Sequence, residues 1–177
     1  MGFEKVTFTN SQGKQLAARL ELPTKQEAHS YAIFAHCFTC NKNFSAVRNI
    51  SRALVNKGIA VLRFDFTGLG DSEGDFEDTN FSSNVSDLIQ AAKFLEENYK
   101  APSLLIGHSL GGAAVIFAAS ELESVVAVST IGSPSSPAHV QHLFKSNVEE
   151  INATGKAKVN IGGRDFTIKK DFIDDIE

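Results

Sequence analysis

The chain has 177 residues, 42% of them apolar and 21% charged, and its 17 basic and 21 acidic side chains leave a formal net charge of −4. A chain of this length and composition can bury a core without disulfides or metal, and it lacks the basic stripe that a phosphate-tracking nucleic-acid surface requires. Its longest apolar runs, such as residues 113–119, fall well short of the ~20 residues that cross a bilayer, which excludes a membrane span. The first residues lack the basic and then apolar regions of a secretory signal, so the chain reads as cytoplasmic. Cys37 and Cys40 are its only cysteines, unlike the dense pattern of small secreted domains.

In chain order, residues 6–9 and 16–22 flank the turn-rich Asn10-Ser11-Gln12-Gly13 and predict a β-hairpin. Short apolar runs follow at 31–35, 59–64, 103–106 and 125–131. Runs without alternation predict strands buried on both faces. Between them, Phe44, Val47, Ile50 and Leu54 have helical spacing that ends at Gly58, and Val85, Leu88, Ile89, Ala92 and Leu95 form a second stripe. A third helix over 109–121 would hold Leu110, Ala113, Ala114, Phe117 and Ala118 on one face. Alternating strands and helices imply right-handed crossovers and a mostly parallel α/β sheet covered on both sides. Residues 132–137 read as a loop, 138–150 as a short helix, and 156–161 with 164–168 as a second hairpin about Gly162-Gly163. Residues 171–177 open a further element.

The chemistry concentrates at Gly107-His108-Ser109-Leu110-Gly111-Gly112, which follows a buried strand and opens a helix. A bare Gly-x-Ser-x-Gly is a weak signal, but at a strand-to-helix junction it becomes a nucleophile elbow. Such a turn forces its serine into a strained conformation. Side chains at Gly107 and Gly111 would collide with the neighbouring helix and strand. The turn lifts the Ser109 hydroxyl above the carboxyl edge of the sheet, where ligands bind in open α/β folds. The Leu110 N–H then stands at the positive end of the following helix, able to stabilise an oxyanion. His108 fills the position before the serine. A glycine-rich turn with an idle serine is the bland alternative.

His36-Cys37-Phe38-Thr39 follows the strand at 31–35, and Asp65-Phe66-Thr67-Gly68-Leu69-Gly70-Asp71-Ser72 follows the strand at 59–64. With these three motifs in order, residues 5–131 resemble the α/β-hydrolase superfamily of serine hydrolases. The resemblance implies Ser109 as nucleophile, backbone N–H groups of Phe38 and Leu110 as the oxyanion hole, and His36, Cys37, Gly107, His108 and Gly111 shaping the site. Asp65, Gly68 and Gly70 brace a turn. Cys37 stands where the family usually has glycine, which bears on the backbone angles of that loop. No metal or organic cofactor is implied. The expected partner is a small acyl substrate, an ester, thioester or small amide.

Cys37-Phe38-Thr39-Cys40 also matches Cys-x-x-Cys, open to three readings: loop packing, a thiol role in redox response, or metal binding, which would need a fourth ligand beyond His36. His139 and His142 lie three apart on one helical face and read as solvated surface histidines. Gly74-Asp75-Phe76-Glu77-Asp78 reads as a solvated acidic turn.

The superfamily orders its triad Ser, acid, His, and no histidine follows Asp165, Asp171, Asp174 or Asp175. The resemblance therefore implies a single hydrolase domain over 1–177 that lacks the last two of eight strands, with 138–177 as a cap or insertion, and weak or absent turnover by this chain. An open sheet edge would invite self-association. The 37–40 loop and the 162–166 hairpin further resemble the hydrolase half of fusions with an OsmC-like domain. The alternative function is a non-catalytic hydrolase-like module that binds a small ligand or responds to oxidants.

Overall fold

A computed structural model describes residues 2–177. β1 (Gly2–Thr9) and β2 (Gln15–Leu22) form the expected antiparallel hairpin. Its turn is built by Asn10, whose side-chain oxygen accepts the N–H groups of Gln12 and Lys14, each at 2.9 Å. There follow β3 (Ser30–Ala35), α1 (Ser45–Val55), β4 (Ile59–Phe64), α2 (Phe81–Asn98), β5 (Leu104–His108), α3 (Leu110–Ala119) and β6 (Ala127–Ile131). The strands make one six-stranded sheet in the order β1-β2-β4-β3-β5-β6. β3, β4, β5 and β6 pair in parallel, and β2 joins β4 antiparallel.

Period-two alternation distributes the inner strands between two layers. Ala32, Phe34, Val61 and Ile106 pack against Val47 and Val55 of α1. Ile33, Ala35, Leu62 and Leu105 face the other way, into the larger core that contains α2 and α3. The result is a mixed α/β fold with a mostly parallel sheet between helical layers. α2 outruns its apolar stripe because Asn80 caps it. The Asn80 side chain accepts the Ser83 N–H at 2.8 Å while the Ser83 hydroxyl accepts the Asn80 N–H at 2.9 Å.

The structure corrects three expectations. The run at 125–131 is not buried on both faces: every residue of β6 is exposed, and the strand lies at the sheet edge, with no further strand beside it among the described residues. Phe117 is 54% exposed and leaves the buried face of α3. Residues 138–150 do not form one helix. A 3₁₀ stretch, Pro137–Asn147, breaks at Phe144 (φ −138°, ψ 29°), and α4 (Val148–Thr154) continues from it.

β7 (Lys156–Ile161) and β8 (Arg164–Lys169) form the predicted second hairpin, followed by α5 (Lys170–Ile176). This hairpin accounts for the acidic turn. Lys169 pairs with Asp78 and, at 3.3 Å, with Glu77, so the turn is an ionic clasp and not merely solvated.

Candidate active site

β5 ends at His108, and Ser109 makes the bend into α3 with φ +55° and ψ −126°. Among the described residues it is the one non-glycine side chain at positive φ. Such a conformation costs on the order of 1–3 kcal/mol and persists only where its surroundings enforce it. They do so through close approach. A Cβ on Gly107 would stand 2.2 Å from the Gly111 carbonyl oxygen, and a Cβ on Gly111 would stand 2.3 Å from the His36 carbonyl oxygen. The Ser109 N–H donates to the Ile131 carbonyl at 2.9 Å, tying the bend to β6.

Leu110 is the first residue of α3, and N–H groups of a first turn have no intrahelical acceptor. Leu110 and Phe38 line one small recess together with His36, Cys37, Phe66, Asn84, Gly111 and Ala114. Ser109 and Leu110 line a second, larger cavity of about 310 Å³ with Gly132, Ser133, Pro134, His139, Val140, His142 and Leu143. Leu110 is thus common to both spaces. The Phe38 ring is fixed between Phe172 and Phe76, with centroids at 4.9 and 5.4 Å.

His36 is 1% exposed. Its Nδ1–H donates to the Cys37 carbonyl at 2.8 Å, and its Nε2 accepts the Phe66 N–H at 3.4 Å, which defines one neutral tautomer. Burial pushes its pKa down to about 4, against the opposing pull of the Cys37 carbonyl and of Asp65. The unfolded chain, with an ordinary histidine pKa, therefore binds the proton first. Stability should fall as pH drops from about 6.5 towards about 4 and level below that, by roughly 3 kcal/mol for this group. Urea unfolding of wild type and His36→Gln across that range checks it: the variant should lose that part of the slope.

Asp65 is fully buried and works as a brace. It pairs with Lys42 Nζ and accepts the N–H groups of Lys42 at 2.6 Å and Asp71 at 2.9 Å. A Cβ on Gly70 would fall 2.1 Å from the same carboxylate. Ser72 completes the turn, donating to the Asp65 carbonyl and accepting the Ala17 N–H of β2.

Cys37 and Cys40 are joined as a disulfide, with Cα atoms 5.2 Å apart. Their sulfurs are thereby engaged with each other, and among the described residues no three His, Cys, Asp or Glu side chains could hold a metal together. Cys37 is not at positive φ, so cysteine stands in place of glycine without needing the left-handed backbone region.

Sequence reasoning missed three features beside Ser109. His139 and His142 are exposed, yet both line the cavity next to it; the His142 ring bonds the His139 carbonyl at 2.6 Å, and neither ring meets a carboxylate among the described residues. Their i, i+3 spacing was legible, but the neighbourhood of Ser109 was not. Phe44 stacks on the His108 ring at 6.2 Å. The His108 Nδ1 is buried without a hydrogen-bond partner.

The strand order, the helical layers and the glycine-flanked bend after β5 define an α/β-hydrolase fold. The serine aminopeptidase S33 family matches residues 12–159, and the chain belongs to that family. The esterase domain of a Rhodothermus marinus protein is 52% identical over 98% of this chain and 67% of that one, with a TM-score of 0.73. A Pyrococcus furiosus esterase is 21% identical over 86% of this chain and 58% of that one (TM-score 0.70). Est1E from Butyrivibrio proteoclasticus, solved with ferulic acid bound, is 21% identical over 96% and 69% (TM-score 0.77). The last two show the shared fold alone. No curated protein matches the chain. Among the described residues no helix is long and apolar enough to cross a membrane.

Proposed function

We propose that this chain carries the nucleophile and oxyanion hole of a serine hydrolase acting on an ester, thioester or small amide. Ser109 is the nucleophile, and the N–H groups of Leu110 and Phe38 receive the oxyanion. The observation that carries the reading is the positive φ of Ser109 between two glycines that admit no side chain. An idle serine has no cause to hold a strained bend at the mouth of a cavity. The likeness to an esterase domain at 52% identity supports the same class.

The serine attacks the acyl carbon, the carbonyl oxygen gathers negative charge, and main-chain donors stabilise it without reorganising. A base must take the serine proton and an acid must orient that base. Asp165, Asp171, Asp174 and Asp175 precede no histidine, and His139 and His142 pair with no carboxylate among the described residues. We assign the acid and base to residues outside this chain, which spans 67% of the Rhodothermus marinus esterase domain. The chain itself then retains only the residual acceleration, about 10³–10⁴ over water, of a hydrolase without its histidine.

A fluorophosphonate probe tests the assignment. Wild type is expected to be labelled at Ser109, slowly because no base activates it within this chain, and Ser109→Ala to remain unlabelled; equal labelling of the two proteins rejects the nucleophile.

A further inference from the structure

The sulfurs of Cys37 and Cys40 are bonded in the loop whose next residue, Phe38, supplies the second oxyanion donor. The ring they close contains the Phe38 and Thr39 backbone, and the Cys40 N–H donates to the Cys37 carbonyl at 3.1 Å. Both cysteines are half-buried and not enclosed in the core. The residues on either side are buried and anchored: His36 bonds the Cys37 carbonyl, and Lys42 is held by Asp65. On the outer side, Arg164 at the start of β8 donates to the Thr39 carbonyl between the two sulfurs.

We infer that Cys37–Cys40 is a reversible dithiol–disulfide site whose state sets how rigidly the Phe38 N–H is presented to the oxyanion. In its regulatory consequence this rests on the serine-hydrolase reading; the thiol chemistry does not. The reductant is a small or protein dithiol. One of its thiolates attacks a sulfur of the pair, forming a mixed disulfide and releasing the other cysteine as a thiolate that takes a proton. The second thiol of the reductant then displaces the first cysteine. Two electrons and two protons pass to the chain, and the dithiol leaves as its disulfide.

Opening the ring removes the one covalent restraint within the loop. The Phe38 ring stays held by Phe76 and Phe172, and Arg164 keeps its carbonyl, so the donor is loosened and not lost. Removing an oxyanion donor outright costs on the order of 10²–10³ in rate, which bounds the effect from above. Loosening should slow acylation of Ser109 by about tenfold.

The experiment uses the full 177-residue chain, oxidised or treated with dithiothreitol under native conditions. The expected results are two thiols that alkylate in the folded, reduced protein, their loss on reoxidation, and fluorophosphonate labelling about tenfold slower in the reduced state. Cys40→Ser should label at the slow rate with and without dithiothreitol. These are the only cysteines in the chain, so the response has no other origin. Thiols that become reactive only after denaturation, or that fail to re-pair on oxidation, overturn the site. Equal labelling rates in the two states overturn the coupling to Ser109. If neither state is labelled while the thiols respond, the coupling falls and the redox site stands.

Discussion

Gly111→Ala is expected to lower the unfolding free energy by about 3 kcal/mol or more and to abolish labelling of Ser109. The added methyl would lie 2.3 Å from the His36 carbonyl oxygen and 2.7 Å from that of Ala35. Both are backbone atoms at the end of β3, and β3 is hydrogen-bonded on both sides, to β4 and β5. Nothing there can rotate away. Either α3 recedes from the sheet, taking the Leu110 N–H with it, or β3 yields and moves the loop that holds Phe38. Gly132→Ala is a useful contrast, since its Cβ meets nothing within 4 Å and only its φ of +56° is unfavourable; about 1 kcal/mol is expected there. Urea unfolding compares the two, and equal midpoints would show that the contact between α3 and β3 is not tight.

Asp65→Ala is expected to cost about 3–5 kcal/mol, the usual penalty for leaving one member of a buried ion pair alone. The Asp65 side chain is 1% exposed and that of Lys42 9%. The substitution also strands two backbone N–H groups, those of Lys42 and Asp71. Asp71 offers Lys42 only partial relief, because its own side chain is 76% exposed. Asp71→Ala should therefore change stability by under about 1 kcal/mol. The double variant Lys42→Met/Asp65→Ala should recover part of the loss, because no uncompensated charge then remains buried. Thermal unfolding of wild type, Lys42→Met, Asp65→Ala and the double variant gives the coupling directly. Additive losses would mean that the pair is solvated and not buried.

The inner sheet was legible because β3, β4 and β5 are buried and their apolar runs leave few alternatives. The bend at Ser109 was legible for a different reason: only glycine fits at 107 and 111, so the steric demand is written in the residue type itself. β6 defeated the same reasoning, since an apolar run records β-propensity but not which layer, if any, lies outside. The 59–64 run concealed a charge as well. Arg63 is 1% exposed and bound to Glu21 of β2 through Nε at 3.1 Å and a terminal nitrogen at 2.6 Å. Residues 42 positions apart carry no local signal of their pairing. Likewise Asn10, read as a turn residue, reaches Asp87 of α2 at 3.2 Å, where burial raises the Asp87 pKa. His139 and His142 were placed on a common face, but a broken helix after an edge strand gave no hint that the face looks towards Ser109.

β6 hydrogen-bonds to β5 on one side and among the described residues has no neighbour on the other, while Gly132, Ser133 and Pro134, directly beyond its last residue, form one wall of the space beside Ser109. A strand added at that margin would shield Val128 and Ile131 from water and press on the same wall. Widening the sheet and reshaping the space beside Ser109 would thus be a single geometric event.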